Sequence, residues 1–148
     1  MKALKIVGIE TRTSNENAVA IEDLGKLWAQ FFGEKIASKI PNKISDNIYA
    51  VYTDYETDYQ GKYTIIIGCA VENLDKIPEG LIGRKFAAQK SVKFLAKGEI
   101  LKAVGETWGK IWAKDKELNR TYLHDYEVYG EKAQDPNNAE IEIFIGIK

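Results

Sequence analysis

Several kinds of functional group are scarce in this chain of 148 residues, and each scarcity excludes a class of site. One cysteine, Cys69, excludes a disulfide within the chain, and with one histidine, His124, it leaves too few ligands for a zinc site. Both lie in apolar or aromatic strand-like runs, so we interpret them as packed core side chains. No P-loop, GxGxxG or GxSxG motif occurs. We therefore expect no metal and no cofactor.

Net charge and long hydrophobic runs are also lacking. The 21 Lys and Arg nearly balance the 22 Asp and Glu, so no strong field attracts nucleic acid or an anionic membrane. No run of about 18 apolar residues could span a membrane. The apolar part of residues 1–13 is too short and too strand-like for a signal peptide. These absences predict a soluble, cytoplasmic protein with neither nucleic acid nor membrane as a direct partner.

An internal repeat is the main positive feature. GKLW at residues 25–28 recurs as GETW at 105–108, and IIIG at 65–68 recurs as IFIG at 143–146. Two echoes in the same order and at similar spacing predict two copies of one unit, at about residues 1–75 and 80–148, which share the core of a single domain over 1–148. Chance recurrence of short apolar patterns is the alternative.

Hydrophobic periodicity predicts the same order of elements in both halves. Apolar residues at three-and-four spacing predict helices over about residues 18–37 and 99–114. Strand-like runs occur at residues 4–12, 48–54, 63–71, 81–86, 91–96, 122–130 and 139–147. The predicted fold is therefore α+β, with a duplicated β-α-β-β unit. If the halves join edge to edge, they form one antiparallel sheet with both helices on one side.

The strand at residues 122–130 carries a carboxylate, Glu127, between Tyr126 and Tyr129. Because strand side chains alternate, Glu127 and Tyr129 share one face, and Tyr126 lies on the other with His124. The Tyr126 face is the more apolar. We therefore expect it to pack against the helices and the Glu127 face to be open.

Aligning the two hairpins places Tyr52 at the repeat position of Glu127. The open surface would then carry Tyr52, Asp54, Glu127 and Tyr129, an acidic and aromatic set that suits an organic cation. Loss of hydration would raise the pKa of Glu127 or favour a positive partner. The alternative is an ordinary solvated face of an antiparallel sheet.

The sequence resembles the gyrase-inhibitor-like effector-binding domains of AraC-type and related drug-responsive regulators. The resemblance spans the chain and rests on the repeated element order, Trp28 and Trp108, the GETWGKIW helix and the DYEVYG strand. The YTDYETDYQGKYT hairpin is most similar to free-standing members, including integron-cassette effector-binding proteins. The family resemblance implies two pseudo-symmetric halves around a central cleft that binds hydrophobic, often cationic, small molecules.

The resemblance also implies roles for particular residues. Glu127 corresponds to the acidic centre of the cleft, with Trp108, Tyr52 and Tyr126 nearby, although strand alternation places Tyr126 opposite Glu127. The predicted ligand-binding set is Glu127, Trp108, Tyr52, Tyr129, Tyr126, Trp28 and Trp112.

Two other functions stay open at this point. In some free-standing relatives, this type of pocket is associated with hydrolysis of cyclopropane-bearing genotoxins, and Glu127 would then be catalytic. A protein that binds and inhibits a protein partner is the other alternative. We expect no helix-turn-helix before or after the repeat, so a transcriptional response would need a separate partner. The oligomeric state is left open.

Overall fold

The strand-like runs of the sequence form a seven-stranded antiparallel sheet, and its two amphipathic segments form long helices. The computed structural model describes residues 3–16 and 19–148. The strands within these residues are β1 (Leu4–Ser14), β2 (Ile48–Thr53), β3 (Lys62–Ala70), β4 (Ile82–Phe86), β5 (Ser91–Gly98), β6 (Arg120–Tyr129) and β7 (Ala139–Ile147). The helices are α1 (Val19–Gly33), α2 (Ile36–Lys39), α3 (Ile100–Ala113) and α4 (Asp115–Leu118), with a 3₁₀ turn at Glu131–Ala133.

The strand order, β4-β1-β3-β2-β6-β7-β5, matches the predicted duplication. The central pair is β2 and β6, and each half continues outward in the same way, through β3 and β1 on one side and through β7 and β5 on the other. Each half therefore supplies one β-α-β-β unit, and β4 extends the first half at its edge. The predicted α+β fold is confirmed.

The sheet must be strongly curled, because β4 and β5 lie at opposite edges yet are joined only by residues 87–90. Six strand spacings in a flat sheet would separate these edges by about 29 Å, whereas so short a link spans at most about 18 Å. We call the side that contacts α1 and α3 the helix face and the opposite side the inner face. The curled sheet buries part of the inner face, where Ile6, Val51 and Ile66 are inaccessible to solvent.

Each long helix packs on the half of the sheet to which it belongs. Leu27 and Phe31 of α1 join a core cluster with Ile65 and Ile67 of β3. Ile111 of α3 joins the equivalent cluster with Ile141, Ile143 and Ile145 of β7. The two helices therefore stand over separate cores, and the helix face is open between them.

The first long helix differs from its prediction at the C-terminal end, whereas the second agrees with its prediction to within one residue at each end. The first predicted helix breaks after Gly33, where Lys35 adopts a left-handed conformation (φ 52°), and the chain resumes as α2. Its predicted start at residue 18 lies outside the described residues. The second helix, α3, is capped by the Glu99 carboxylate, which accepts hydrogen bonds from the backbone N–H groups of Leu101 and Lys102.

The sequence-based assignment of the two faces of β6 is wrong. Glu127 lies on the helix face, where Trp108 of α3 contacts it, and Tyr126 lies on the inner face against Tyr49 and Phe144. The assignment compared the apolar content of the two faces and assumed that one of them is solvated. The inner face also holds a buried apolar cluster, around Ile6, Val51 and Ile66, so apolar content does not distinguish the two faces.

Gly8 and Gly68 face each other across β1 and β3 at a close backbone approach. A Cβ atom on Gly68 would lie 2.2 Å from the carbonyl oxygen of Val7. We therefore expect Gly68→Ala to lower the free energy of unfolding by about 1–3 kcal/mol, the usual range for overpacking. Gly109→Ala on α3 meets open space and should raise stability by up to about 1 kcal/mol. Urea unfolding checks both, and a neutral Gly68→Ala would contradict this packing.

Candidate functional site

A cleft of about 1200 Å³ lies on the helix face between α1 and α3. Its walls are mainly apolar and aromatic. They include Ile21, Leu24, Trp28 and Phe32 from α1, Leu101, Val104, Trp108 and Trp112 from α3, and Tyr52, Glu127 and Tyr129 from the sheet. Small-molecule sites usually measure about 300–1000 Å³, so this cleft has room for a large organic ligand.

Glu127 lines the cleft and is 1% exposed. Its Oε2 atom accepts hydrogen bonds from Trp108 Nε1 at 2.6 Å and from the Tyr52 hydroxyl at 3.1 Å. Its Oε1 atom accepts one from the Tyr129 hydroxyl at 2.7 Å. These donors come from α3, β2 and β6, so the packing of both halves fixes the orientation of the carboxylate.

Among the described residues, Glu127 has hydrogen-bond partners but no ion-pair partner. Burial raises the pKa of Glu127, and the hydrogen bonds from Trp108, Tyr129 and Tyr52 oppose that rise. Burial also raises the pKa of Tyr52 and of Tyr129 well above the ordinary value, so both remain neutral donors. Across residues 3–16 and 19–148, the ion pairs do not include Glu127. Glu127 is therefore a buried carboxylate whose hydrogen-bond partners are all neutral.

Aromatic side chains flank Glu127 on both sides. Toward α1, Trp28 stacks on Phe32 with ring centroids 5.7 Å apart and meets Tyr129 edge to face at 5.0 Å. Toward α3, Trp108 meets Tyr52 at 5.1 Å. Each wall therefore combines a helix tryptophan from one half with a strand tyrosine from the other half.

The β2–β3 hairpin contributes further aromatic residues that the sequence analysis did not assign to the site. Tyr55, Tyr59 and Tyr63 all line the cleft. Tyr59 stacks on Trp112 with centroids 5.5 Å apart and an interplanar angle of 10°. The density of tyrosine in YTDYETDYQGKYT was the available signal, but the irregular turn conceals which rings point inward.

A buried ion pair borders the cleft near this hairpin. Arg120 Nη2 lies 2.7 Å from Asp125 Oδ2, and each side chain is 1% exposed. Asp125 also accepts hydrogen bonds from the Tyr55 hydroxyl at 2.5 Å and from the Gly146 N–H at 2.8 Å. Arg120 lines the cleft, so its charge is part of the wall. Neither Arg120 nor Asp125 was among the residues predicted for the site.

The structure brings together most of the predicted ligand-binding set. The residues that line the cleft are Glu127, Trp108, Tyr52, Tyr129, Trp28 and Trp112. Tyr126 is the exception, because alternation along β6 turns it to the inner face, where it stacks on Phe144 at 4.9 Å. Strand alternation was therefore right for Tyr126, and the placement carried over from the family resemblance was wrong.

Asp54 was predicted beside Tyr52 on the ligand-binding surface, and this prediction is wrong. β2 ends at Thr53, and Asp54 takes a left-handed conformation (φ 51°) that breaks the alternation. Its carboxylate is partly exposed and pairs with Arg84 at 2.7 Å. Asp54 therefore points away from the cleft.

Cys69 and His124 are buried, as predicted. His124 packs against Phe86 and Tyr126 on the inner face, and burial lowers its pKa. In the part of the chain that the structure describes, no group of three or more His, Cys, Asp or Glu side chains is arranged to hold a metal. No helix in this part combines the length and the apolar character that a membrane crossing needs.

Two β-α-β-β units that join in one sheet beneath two helices, with an aromatic cleft around a buried carboxylate, define an effector-binding fold of the gyrase-inhibitor-like class. Within that class, residues 1–147 match the Cass2 family, described as integron-associated effector binding protein, and the chain belongs to this family. It is 31% identical over 147 residues to YobU of Bacillus subtilis (strain 168), whose name provisionally assigns it to transcriptional regulation. This match covers 97% of the chain and 92% of YobU.

Two solved structures have the same fold. An integron cassette protein from the mobile metagenome of Vibrio cholerae superposes with a TM-score of 0.72 at 24% identity, covering 100% of this chain and 92% of that one. A protein designated SAV2435, solved bound to tetraphenylphosphonium, superposes with a TM-score of 0.81 at 20% identity, covering 100% and 90%. Both superpositions support the α+β architecture described above.

Proposed function

We propose that the protein binds hydrophobic organic cations in the cleft between α1 and α3, with ionised Glu127 as the counter-charge. The observation that carries this proposal is a fully buried carboxylate whose partners are all neutral donors. The aromatic walls from both halves support it. So does SAV2435, because tetraphenylphosphonium is a large hydrophobic cation.

The same geometry favours a delocalised cation over a compact ammonium group. Entry into the cleft removes water from the ligand, and the cost of desolvation is high for a concentrated charge. A cation surrounded by aryl groups loses little hydration, and its apolar surface gains from burial. Contacts with the ring faces of Trp28 and Trp108 would each add about 0.5–2 kcal/mol. We infer that ligand selection combines charge with apolar area.

Titration of the purified chain with tetraphenylphosphonium tests this proposal. We expect saturable binding at one site per chain by isothermal titration calorimetry. Trp28, Trp108 and Trp112 line the cleft, so a parallel change in tryptophan fluorescence is also expected. The absence of both signals would refute the proposed function.

Affinity for the cation should depend on pH, although tetraphenylphosphonium itself does not titrate. Burial raises the pKa of Glu127, and only the ionised form attracts the ligand. Affinity is therefore expected to be full above the raised pKa and to fall as the pH decreases through it. The loss should begin above the ordinary glutamate pKa of about 4.3.

Calorimetric titrations between neutral pH and the onset of acid unfolding measure this profile. Glu127→Gln is the matched control, because it removes the titrating group at nearly constant side-chain volume and should flatten the profile. A profile in the parent that is independent of pH would contradict the role of Glu127 as counter-charge.

A further inference from the structure

Arg120 lies in the cleft wall, and one of its hydrogen-bond donors has no partner among the described residues. Its Nη2 pairs with Asp125 at 2.7 Å and its Nη1 with Asp115 at 3.4 Å. Its Nε is buried and, within the described residues, meets no acceptor. Buried donors are nearly always hydrogen-bonded, and leaving one unpaired is costly, more so when the group is charged. The Nε–H of Arg120 is therefore a donor that can still take an acceptor.

The charges around Arg120 determine what kind of acceptor fits. Asp115 and Asp125 both contact the guanidinium, so the three groups together carry a net negative charge. Glu127 adds another negative charge to the same cleft. An anionic group would be repelled by this surplus, whereas a neutral carbonyl, ether or ester oxygen would accept from Nε without that penalty.

The register of β6 sets the distance between this donor and the proposed cation site. Asp125 and Glu127 lie two residues apart on the helix face, and both pair regularly with β2 and β7. Two residues along a strand span about 7 Å. Arg120 contacts Asp125 directly, so its Nε–H lies on the order of 7–10 Å from the carboxylate of Glu127.

Three aromatic rings surround the guanidinium. Its Cζ atom lies 4.3 Å from the ring centroid of Tyr122, 5.9 Å from that of Tyr55 and 6.0 Å from that of Trp108. Because Nε is buried among these neighbours, an entering oxygen has to displace part of the surrounding side chains. Trp108 also donates to Glu127 at 2.6 Å and therefore contacts both ends of the site.

We propose that Arg120 is a second recognition point of the cleft, whose Nε–H donates a hydrogen bond to a neutral oxygen of the ligand roughly 7–10 Å from the cationic centre held at Glu127. This inference rests on the proposed function and narrows its ligand class. The preferred ligands are hydrophobic cations that carry a ketone, ester or ether oxygen at that distance. Cations with a carboxylate at the same position are disfavoured, because the net negative charge of Arg120, Asp115 and Asp125 together repels that carboxylate.

A series of alkyl triphenylphosphonium cations tests the proposal on the intact chain by calorimetry. The reference has a plain alkyl arm, the second a ketone oxygen about 7 Å from phosphorus, the third the same ketone two bonds nearer, and the fourth a carboxylate at the 7 Å position. We expect the second to bind about tenfold more tightly than the reference, the usual gain from a hydrogen bond to a charged donor. The third should lose that gain, and the fourth should bind more weakly than the reference.

Arg120→Lys supplies the matched variant, because it keeps the positive charge and removes the Nε–H. The expected result is that the tenfold preference for the ketone falls to about one, whatever the absolute affinities become. Trp108 emission should also distinguish the ketone from the reference in the parent and not in the variant. If Arg120→Lys does not fold, the four ligands measured on the parent chain still decide the matter.

The outcomes separate this inference from the proposed function. Equal affinities for the ketone and the plain alkyl cation would overturn the role of Arg120 and leave the cation site intact. Tightest binding of the carboxylate would also overturn it, because Arg120 would then act as an anion site. If no phosphonium binds at all, the proposed function fails and this inference fails with it.

Discussion

Glu127→Gln is expected to weaken the binding of tetraphenylphosphonium by about 100-fold, because truncating one charge of a desolvated charge pair costs about 2–5 kcal/mol. The substitution keeps the side-chain volume but removes the one charge at the centre of the cleft. It also replaces one acceptor oxygen by an amide donor, which faces N–H and O–H donors from Trp108, Tyr52 and Tyr129. Affinity measured by calorimetry at neutral pH checks this expectation.

Glu106→Gln is the matched control for the loss of charge. Glu106 lies on α3 two residues before Trp108, is exposed and lies outside the cleft lining. The control changes the net charge of the protein by the same amount, so its affinity should stay within about twofold of the parent, since exposed charges are screened. Equal losses in the two variants would mean that the overall field attracts the ligand, and the role of Glu127 would have to be abandoned.

Asp125→Ala is expected to lower the free energy of unfolding by about 3–5 kcal/mol, the usual cost of breaking a buried ion pair. The substitution removes the closest partner of the Arg120 guanidinium at 2.7 Å. It also leaves the Tyr55 hydroxyl and the Gly146 N–H without their acceptor. Three buried donors thus lose a partner together, and water cannot readily replace it at a fully buried position. Urea unfolding followed by circular dichroism measures the loss.

Lys26→Ala is the control for Asp125→Ala, because it breaks an exposed ion pair and not a buried one. Lys26 pairs with Glu22 at 3.1 Å on α1, and the two side chains are 74% and 72% exposed. Such pairs contribute about 0–1 kcal/mol, so this variant should unfold at nearly the urea concentration of the parent. A loss in Asp125→Ala no larger than that in Lys26→Ala would show that the Arg120–Asp125 pair does not hold β6 in place.

The order of helices and strands follows from local pattern alone, and most of it was predicted correctly. The apolar stripes of α1 and α3 and the β-branched runs of β3 and β7 are signals of short range. The breaks within them were not predicted, because they depend on Lys35 and Asp54 adopting left-handed conformations. Neither residue type favours that conformation strongly enough to be recognised in a sequence.

The curl of the sheet explains why the face of Glu127 was assigned wrongly. Residues 87–90 can be seen to form a short link, but their consequence depends on β4 and β5 lying at opposite edges, which is a property of the strand order. In the curled sheet, Ile6, Val51 and Ile66 of the inner face are buried although α1 and α3 pack on the other side. A charged side chain can then lie on the helix face, provided that donors such as Trp108 Nε1 satisfy it.

Some residues of the candidate site could also be predicted from the sequence, and others could not. Glu127 could be singled out because it stands between aromatic residues in a strand, and the family resemblance supported it. Arg120 and Tyr55 could not, because their contact with Asp125 requires a register shift in β6 between Arg120 and Asp125. Tyr122, within that shift, has a positive φ of 56°. Side chains beyond such an irregularity no longer follow the alternation on which the prediction depends.

Comparison of tetraphenylphosphonium with tetraphenylborate tests the central claim most directly. The two ions have nearly the same size, shape and aryl surface but opposite charge, so apolar burial is matched and only the electrostatic contribution differs. A buried Glu127 predicts that the phosphonium binds at least about 100-fold more tightly than the borate at neutral pH. Equal affinity for the two ions would contradict the account, because the cleft would then select apolar area and not charge.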